Sequence, residues 1–275
     1  MPHISGTAAG GRGVIVQVDR VASVAEAVAF RDAGANLIGV ALDPDPRFKD
    51  ARFVSPEVAK AIREAIAPAR LVGLVPTYFY DDSAAQSRGR IERVLALGPG
   101  FIQFYRGIRD ELVPMVRTAG VPVISDEARL DTDNGAYIDP NVPASWVRRQ
   151  LEDRADLRPI LFHLDVVPDA PNPWLFFTGE APEWPEECPQ VADVAAATHE
   201  LPLLLSLTGL NAETIGPYAR AFPDARGFFA RLGPDRLGGA PSMRPEPLLA
   251  VLRALQAIQA AVPRGERGRA GRWSG

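Results

Sequence analysis

Cysteine, lysine and histidine are almost missing from this chain of 275 residues. A single cysteine, Cys188, excludes an internal disulfide and fits a reducing compartment, so a cytoplasmic protein is expected. His3, His163 and His199 are scattered, and with Cys188 they show none of the spacings of a metal site, so no metal is expected. Lys49 and Lys60 are the only lysines; arginine carries the positive charge, a composition that speaks of a GC-rich genome and not of function. No apolar run approaches the roughly 18 residues of a membrane span, and MPHISGTAAGGRG at the start lacks the apolar core of a signal peptide. A net charge of −4 gives no electrostatic case for nucleic acid. No Rossmann or phosphate-loop glycine pattern stands at a strand end, so neither a nucleotide nor a redox cofactor is expected. A small-molecule partner fits these exclusions, and a monomer or homodimer is expected.

What is present is alternation. Val14–Val18 is a β-branched run that breaks at Asp19-Arg20; Ser23 can cap a helix whose apolar residues Val24, Ala27, Val28 and Ala33 recur at helical spacing; Gly34 closes it; Leu37–Leu42 is apolar again. This is a strand–helix–strand unit with parallel strands. Further strands are expected at 71–75, 101–105, 121–125, 160–164, 202–207 and 227–232. Helices are expected at 56–67, 83–97, 110–119, 143–155, 191–199, 212–222 and 245–262. Eight βα units in about 250 residues match a single closed (β/α)8 barrel better than an open doubly wound sheet. The expected boundaries are a flexible extension over 1–13, the barrel over 14–264 and a disordered tail over 265–275. The tail's arginines read either as a solvated end or as a binding arm. The Pro-rich piece 166–189 follows a strand and reads as a functional loop.

Functional groups of such folds gather at the carboxyl ends of the strands. Asp19 stands at one, with Gln17 two residues earlier pointing the same way. Asp19 taken alone reads equally as a turn or helix-capping acid.

Several motifs in order resemble one family, phosphoribosylanthranilate isomerase, the Amadori-rearranging barrel of tryptophan biosynthesis. They are AGANLIGV (33–40), RFVSPEVA (52–59), FIQFYRG (101–107), LFHLD (161–165), FTGEAPEW (177–184) and LTGLN (207–211). The resemblance implies an aldose–ketose isomerase with an acid and a base on opposite sides of a sugar. It implies Asp165 as the acid, Arg52 as the contact of a substrate carboxylate, and Thr208, Gly209 and Leu210 as a phosphate turn at the start of a helix from Ala212. It also brings Gln103 and Tyr105 to the side of a small-molecule substrate that is anionic or aromatic. His163 lies two residues before Asp165 on the same face and reads as tuning that acid or contacting substrate. The acid has to keep its proton near neutral pH, through burial or a nearby like charge.

The departures are specific. Where the family has Lys-Ile-Cys-Gly, with cysteine as base, this chain has Gln17, Val18, Asp19 and Arg20, so Asp19 takes the base position. Where the family has Ser-Ser-Gly after strand 8, this chain has Phe229, Ala230 and Arg231. Arg231 either replaces charge for a phosphate or marks a different anion. Arg52 reads alternatively as a surface ion pair, and His163 as a wall histidine. Tyr105, Trp174, Phe176 and Phe177 read as packing or as the lining for a bulkier ligand. Asp126 and Glu127, at the expected end of strand 5, have no counterpart. Three functions follow: the isomerase itself; a barrel enzyme of a specialised biosynthetic pathway using both aspartates on a bulkier substrate without ribose phosphate; or a non-catalytic ligand-binding barrel.

Overall fold

The computed structural model describes residues 14–43, 52–76, 83–105, 108–131, 157, 159–167, 191–233, 236–237 and 240–261. For residues 105, 126–131, 165–167, 191–193, 236–237, 240–241 and 261 it describes the backbone alone. The expected helix at 143–155, most of the loop 166–189, the N-terminal extension and the tail lie outside the described residues.

Eight strands form a closed parallel barrel in chain order: β1 (Ile15–Asp19), β2 (Leu37–Ala41), β3 (Arg70–Pro76), β4 (Phe101–Tyr105), β5 (Val123–Asp131), β6 (Leu161–Val167), β7 (Leu203–Ser206) and β8 (Gly227–Arg231). The (β/α)8 class expected from the alternation is the one observed. Period-two alternation divides each strand between two environments. Leu37, Val72, Leu74, Phe101, Ile124, Leu161, Leu204 and Phe229 pack together inside the barrel. Their neighbours Ile38, Val40, Leu203, Leu205, Phe228 and Ala230 turn outward to meet the helices.

The helices are α1 (Val24–Asp32), α2 (Pro56–Ala65), α3 (Ala84–Leu95), α4 (Val113–Ala119), α5 (Val191–Glu200), α6 (Ile215–Ala221) and α7 (Pro245–Ala261). Their starts are written in serines. Ser23, Ser55 and Ser83 accept from the backbone N–H three residues on, and Ser83 forms a reciprocal capping box with Gln86. Phe30, Ala27, Ile62, Ala59, Tyr218 and Leu252 then fill the space between helices and barrel.

Three elements differ from expectation. β5 does not stop at Ser125: it bulges between Ser125 and Ala128 and continues beside β6 to Asp131↔Val167. Asp126 and Glu127 therefore sit in a bulge within a strand, and Asp165 lies inside β6, opposite Arg129, instead of at its end. α6 begins at Ile215, not Ala212, because Asn211 folds the intervening residues into a turn, its Oδ1 accepting from the N–H groups of Glu213 and Thr214. After β8 a short antiparallel hairpin, β9 (Arg236–Leu237) and β10 (Ala240–Pro241), precedes α7. No described helix is long and apolar enough to cross a membrane.

The barrel closes where β8 runs beside β1, in register from Ile15↔Gly227 to Asp19↔Arg231. A Cβ on Gly227 would collide with the backbone carbonyl of Ile15, which no side-chain adjustment relieves. Gly227→Ala should therefore lower unfolding free energy by about 3 kcal/mol, the upper end for overpacking, as read by urea denaturation.

Candidate active site

Inward parity on β1 sends Gln17 and Asp19 into the barrel, and both are fully buried. Gln103 from β4, across the barrel, and His163 from β6 meet them there. Gln17 Nε2 donates to Asp19 Oδ1 at 2.7 Å and to Gln103 Oε1 at 2.5 Å. Gln103 Nε2 stands 3.3 Å from His163 Nδ1 and 3.5 Å from Asp19 Oδ2. The His163 ring lies flat on Phe229 from β8, with centroids 3.8 Å apart and planes 15° apart. Side chains from three strands thus form one polar chain through an otherwise apolar interior.

Asp19 does not cap α1; Ser23 does. Its carboxylate instead occupies the room left by Gly39 on β2, where a Cβ would collide with Asp19 Oδ1. Arg231, its register partner on β8, is 1% exposed and is among the largest fully buried side chains.

The backbone after Asp19 turns sharply. Arg20 has φ 65, a conformation uncommon outside glycine, asparagine and aspartate. Arg52 holds it there: Nε donates to the Arg20 carbonyl at 3.0 Å, while Nη2 pairs with Glu26 Oε2 at 2.5 Å. The same Glu26 oxygen accepts from the N–H of Ala22 at 3.0 Å. Arg52, expected to meet a substrate carboxylate, here braces the β1–α1 loop through an ion pair, the alternative open to it in the sequence.

The turn expected to hold phosphate is bonded within itself, and the segment after β8 is bonded to its neighbours. The Thr208 N–H is donated to Ser206 Oγ at 3.3 Å and the Leu210 N–H to the Leu207 carbonyl at 3.1 Å, with Gly209 making the turn at φ 80. After β8, the Leu232 N–H is donated to the Asp19 carbonyl, the Met243 N–H to the Arg231 carbonyl and the Gly233 N–H to the Met243 carbonyl. The returning hairpin segment thus occupies the backbone that follows Arg231.

Of the other expected site residues, Tyr105 ends β4 and Asp165 lies two residues beyond His163 on β6; only their backbones are described. Trp174, Phe176 and Phe177 lie outside the described residues. Among the described residues no group of three His, Cys, Asp or Glu side chains could hold a metal ion. Sequence reading had named Gln17, Asp19, Gln103 and His163 one by one; it missed their union, and it missed Gly39 and Phe229. The available signal was parity, which puts all of them on inward positions of their strands.

No family model and no curated protein matches the chain. Solved structures do. Phosphoribosylanthranilate isomerase from Thermus thermophilus superposes with a TM-score of 0.54 at 17% identity, over 89% of this chain and 99% of that one. The isomerase of the same name from Thermotoga maritima gives 0.53 at 16%, over 91% and 100%. A type I 3-dehydroquinate dehydratase from Clostridium difficile gives 0.53 at 17%, over 90% and 93%. The chain thus resembles phosphoribosylanthranilate isomerases in fold across their whole length.

Two substitutions test this geometry without any ligand. Arg52→Met removes a charged hydrogen bond and an ion pair that are both partly shielded, and should cost about 1–3 kcal/mol in thermal or urea unfolding; an arginine serving substrate alone would leave the free protein's stability unchanged. Gly39→Ala should push the Asp19 carboxylate off its place. A crystal structure of that variant is expected to show the Gln17–Asp19 hydrogen bond broken or the β1–β2 spacing widened.

Proposed function

We propose that this protein is an acid–base enzyme of the phosphoribosylanthranilate isomerase kind, moving a proton between adjacent carbons of a small sugar-derived substrate, with Asp19 as the base and Asp165 as the acid. The observation that carries this reading is the Asp19 carboxylate, held by the Gln17 amide inside the barrel at the carboxyl end of β1. In (β/α)8 enzymes chemistry is placed at that end. The position is also the one at which the resembling family has its base.

In an Amadori rearrangement the acid gives a proton to the furanose ring oxygen, the C1–O bond breaks and the C1–N bond takes on iminium character. The base then removes the C2 proton, and the resulting enolamine settles to the ketose. An ionised carboxylate accepts and does not donate, so Asp19, with an amide N–H already on Oδ1, is configured to receive that proton. Asp165 belongs to β6 and Asp19 to β1, strands separated around the barrel, as an acid and a base flanking one substrate require.

A second reading keeps the two aspartates and changes the substrate. The Thr208 and Leu210 N–H groups are spent within their own turn, and the segment after Arg231 is bonded to β1 and to the returning hairpin. Both observations favour a substrate without a terminal phosphate, as in an enzyme of a specialised biosynthetic pathway. The buried Arg231 would then meet a different anionic group near Asp19.

Purified protein mixed with freshly generated phosphoribosylanthranilate decides between them. The first reading expects anthranilate fluorescence to decay at a rate that Asp19→Asn and Asp165→Asn each lower by about 10²–10⁴-fold, the range for lost general acid–base groups. No turnover by the intact protein, with no binding of the reduced product analogue, removes the first reading and leaves the second. Activity unaffected by Asp19→Asn on any substrate later found would overturn the assignment of the base in both.

A further inference from the structure

The chain of side chains inside the barrel has a direction. As the ionised base of the proposed function, Asp19 only accepts hydrogen bonds, which fits the observed geometry: Gln17 turns its NH2 group, not its carbonyl, toward Asp19 Oδ1. The same nitrogen reaches Gln103, so the atom it meets there must be the Gln103 carbonyl oxygen. With its oxygen committed, Gln103 turns its own NH2 group toward His163 Nδ1. A ring nitrogen facing an NH2 group has to accept. His163 is then neutral and carries its proton on Nε2.

Among the described residues the buried Gln17 Oε1 has no hydrogen-bond partner. Turning both amides around would satisfy it, but would set it against the carboxylate. The orientation is therefore imposed from Asp19.

We propose that the Gln17–Gln103 amide pair transmits the polarity of Asp19 to His163, which makes both glutamines positioning residues for the base and holds His163 as a neutral imidazole protonated on Nε2. A proton on Nδ1 would oppose the Gln103 NH2 group, donor against donor. Both amides would have to turn, and their oxygens would then face Asp19, which is tolerable only after Asp19 has itself taken a proton. The tautomer of His163 is therefore coupled to the protonation of Asp19. The neighbouring elements bear on this as follows. On β7 the register partner of His163 is Leu204, and on β8 its ring is covered by Phe229, neither titratable. Arg231 is beside Asp19 on β8, and Arg20 follows Asp19 in the turn after β1. In β5 the bulge residues Asp126 and Glu127 run alongside His163, and Asp165 follows it on β6 opposite Arg129.

The catalytic meaning of this relay rests on the proposed role of Asp19, but the tautomer itself is read without turnover. The full chain labelled with ¹⁵N has three histidines, so long-range ¹H–¹⁵N spectra of the imidazoles are sparse. In its neutral form His163 is expected as the Nε2–H tautomer. Gln103→Glu sets an acceptor oxygen against Nδ1 and should convert the signal to an Nδ1-protonated form. Gln17→Met cuts the relay at nearly constant volume and should give a mixture of tautomers. His199, which is exposed beside Asp224, should keep its signal in both variants. An Nδ1–H tautomer in the unaltered protein, a reading that needs no variant, overturns the proposal. So does a Gln103→Glu protein with native circular dichroism and an unchanged His163. Loss of turnover in Asp19→Asn together with an Nδ1–H His163 would retain the base and reject the relay. Full turnover in Asp19→Asn with the Nε2–H tautomer would do the reverse.

Discussion

A carboxylate buried inside an apolar barrel has to be answered by donors, and much of the interior of this protein is arranged around that requirement. Leaving an ionised group without partners in such surroundings costs several kcal/mol, more than most single contacts return. The answer here is distributed. Gln17 supplies an N–H from the same strand, Gln103 brings a second amide from across the barrel, and Gly39 withholds a side chain so that the carboxylate fits. The surrounding layer of Leu37, Val72, Leu74, Ile124 and Phe229 stays apolar, so the polar chain is narrow and its geometry is fixed by packing.

The loops around the mouth divide into two kinds. After β1 the chain is pinned by side chains: Arg52 reaches from beyond β2 to the Arg20 carbonyl and to Glu26. After β7 it is held by the Ser206 side chain and the Leu210–Leu207 backbone bond, and after β8 by backbone bonds to Asp19 and to Met243. A loop whose amides are already donated to the protein offers fewer of them to an anion. That is the physical content of the departure from the family pattern seen after strand 8.

The barrel is legible because most strands are short β-branched or leucine-rich runs, and because three helix starts are capped by Ser23, Ser55 and Ser83 where the sequence places a helix. The differences have local causes. Strand 5 carries the adjacent acids Asp126 and Glu127, and a bulge lets it continue past them. The helix after β7 starts at Ile215 and not at Ala212 because the Asn211 side chain folds the residues between into a turn. The individual site residues were visible from parity and resemblance. Their bonding was not, because contacts between β1, β4 and β6 join residues 60 to 86 positions apart and leave no periodic trace. Arg52 shows the same limit: its motif fits a ligand contact, and only the fold reveals Glu26 within its reach.

Gly39 carries a consequence for how freely the sequence can vary. The carboxylate of Asp19 and a Cβ at position 39 compete for one volume, so a side chain at 39 is accommodated only if the acid leaves its place or the two strands part. Position 39 is thereby tied to position 19 across the β1–β2 seam, and a residue without a side chain is held by the shape of its neighbour's.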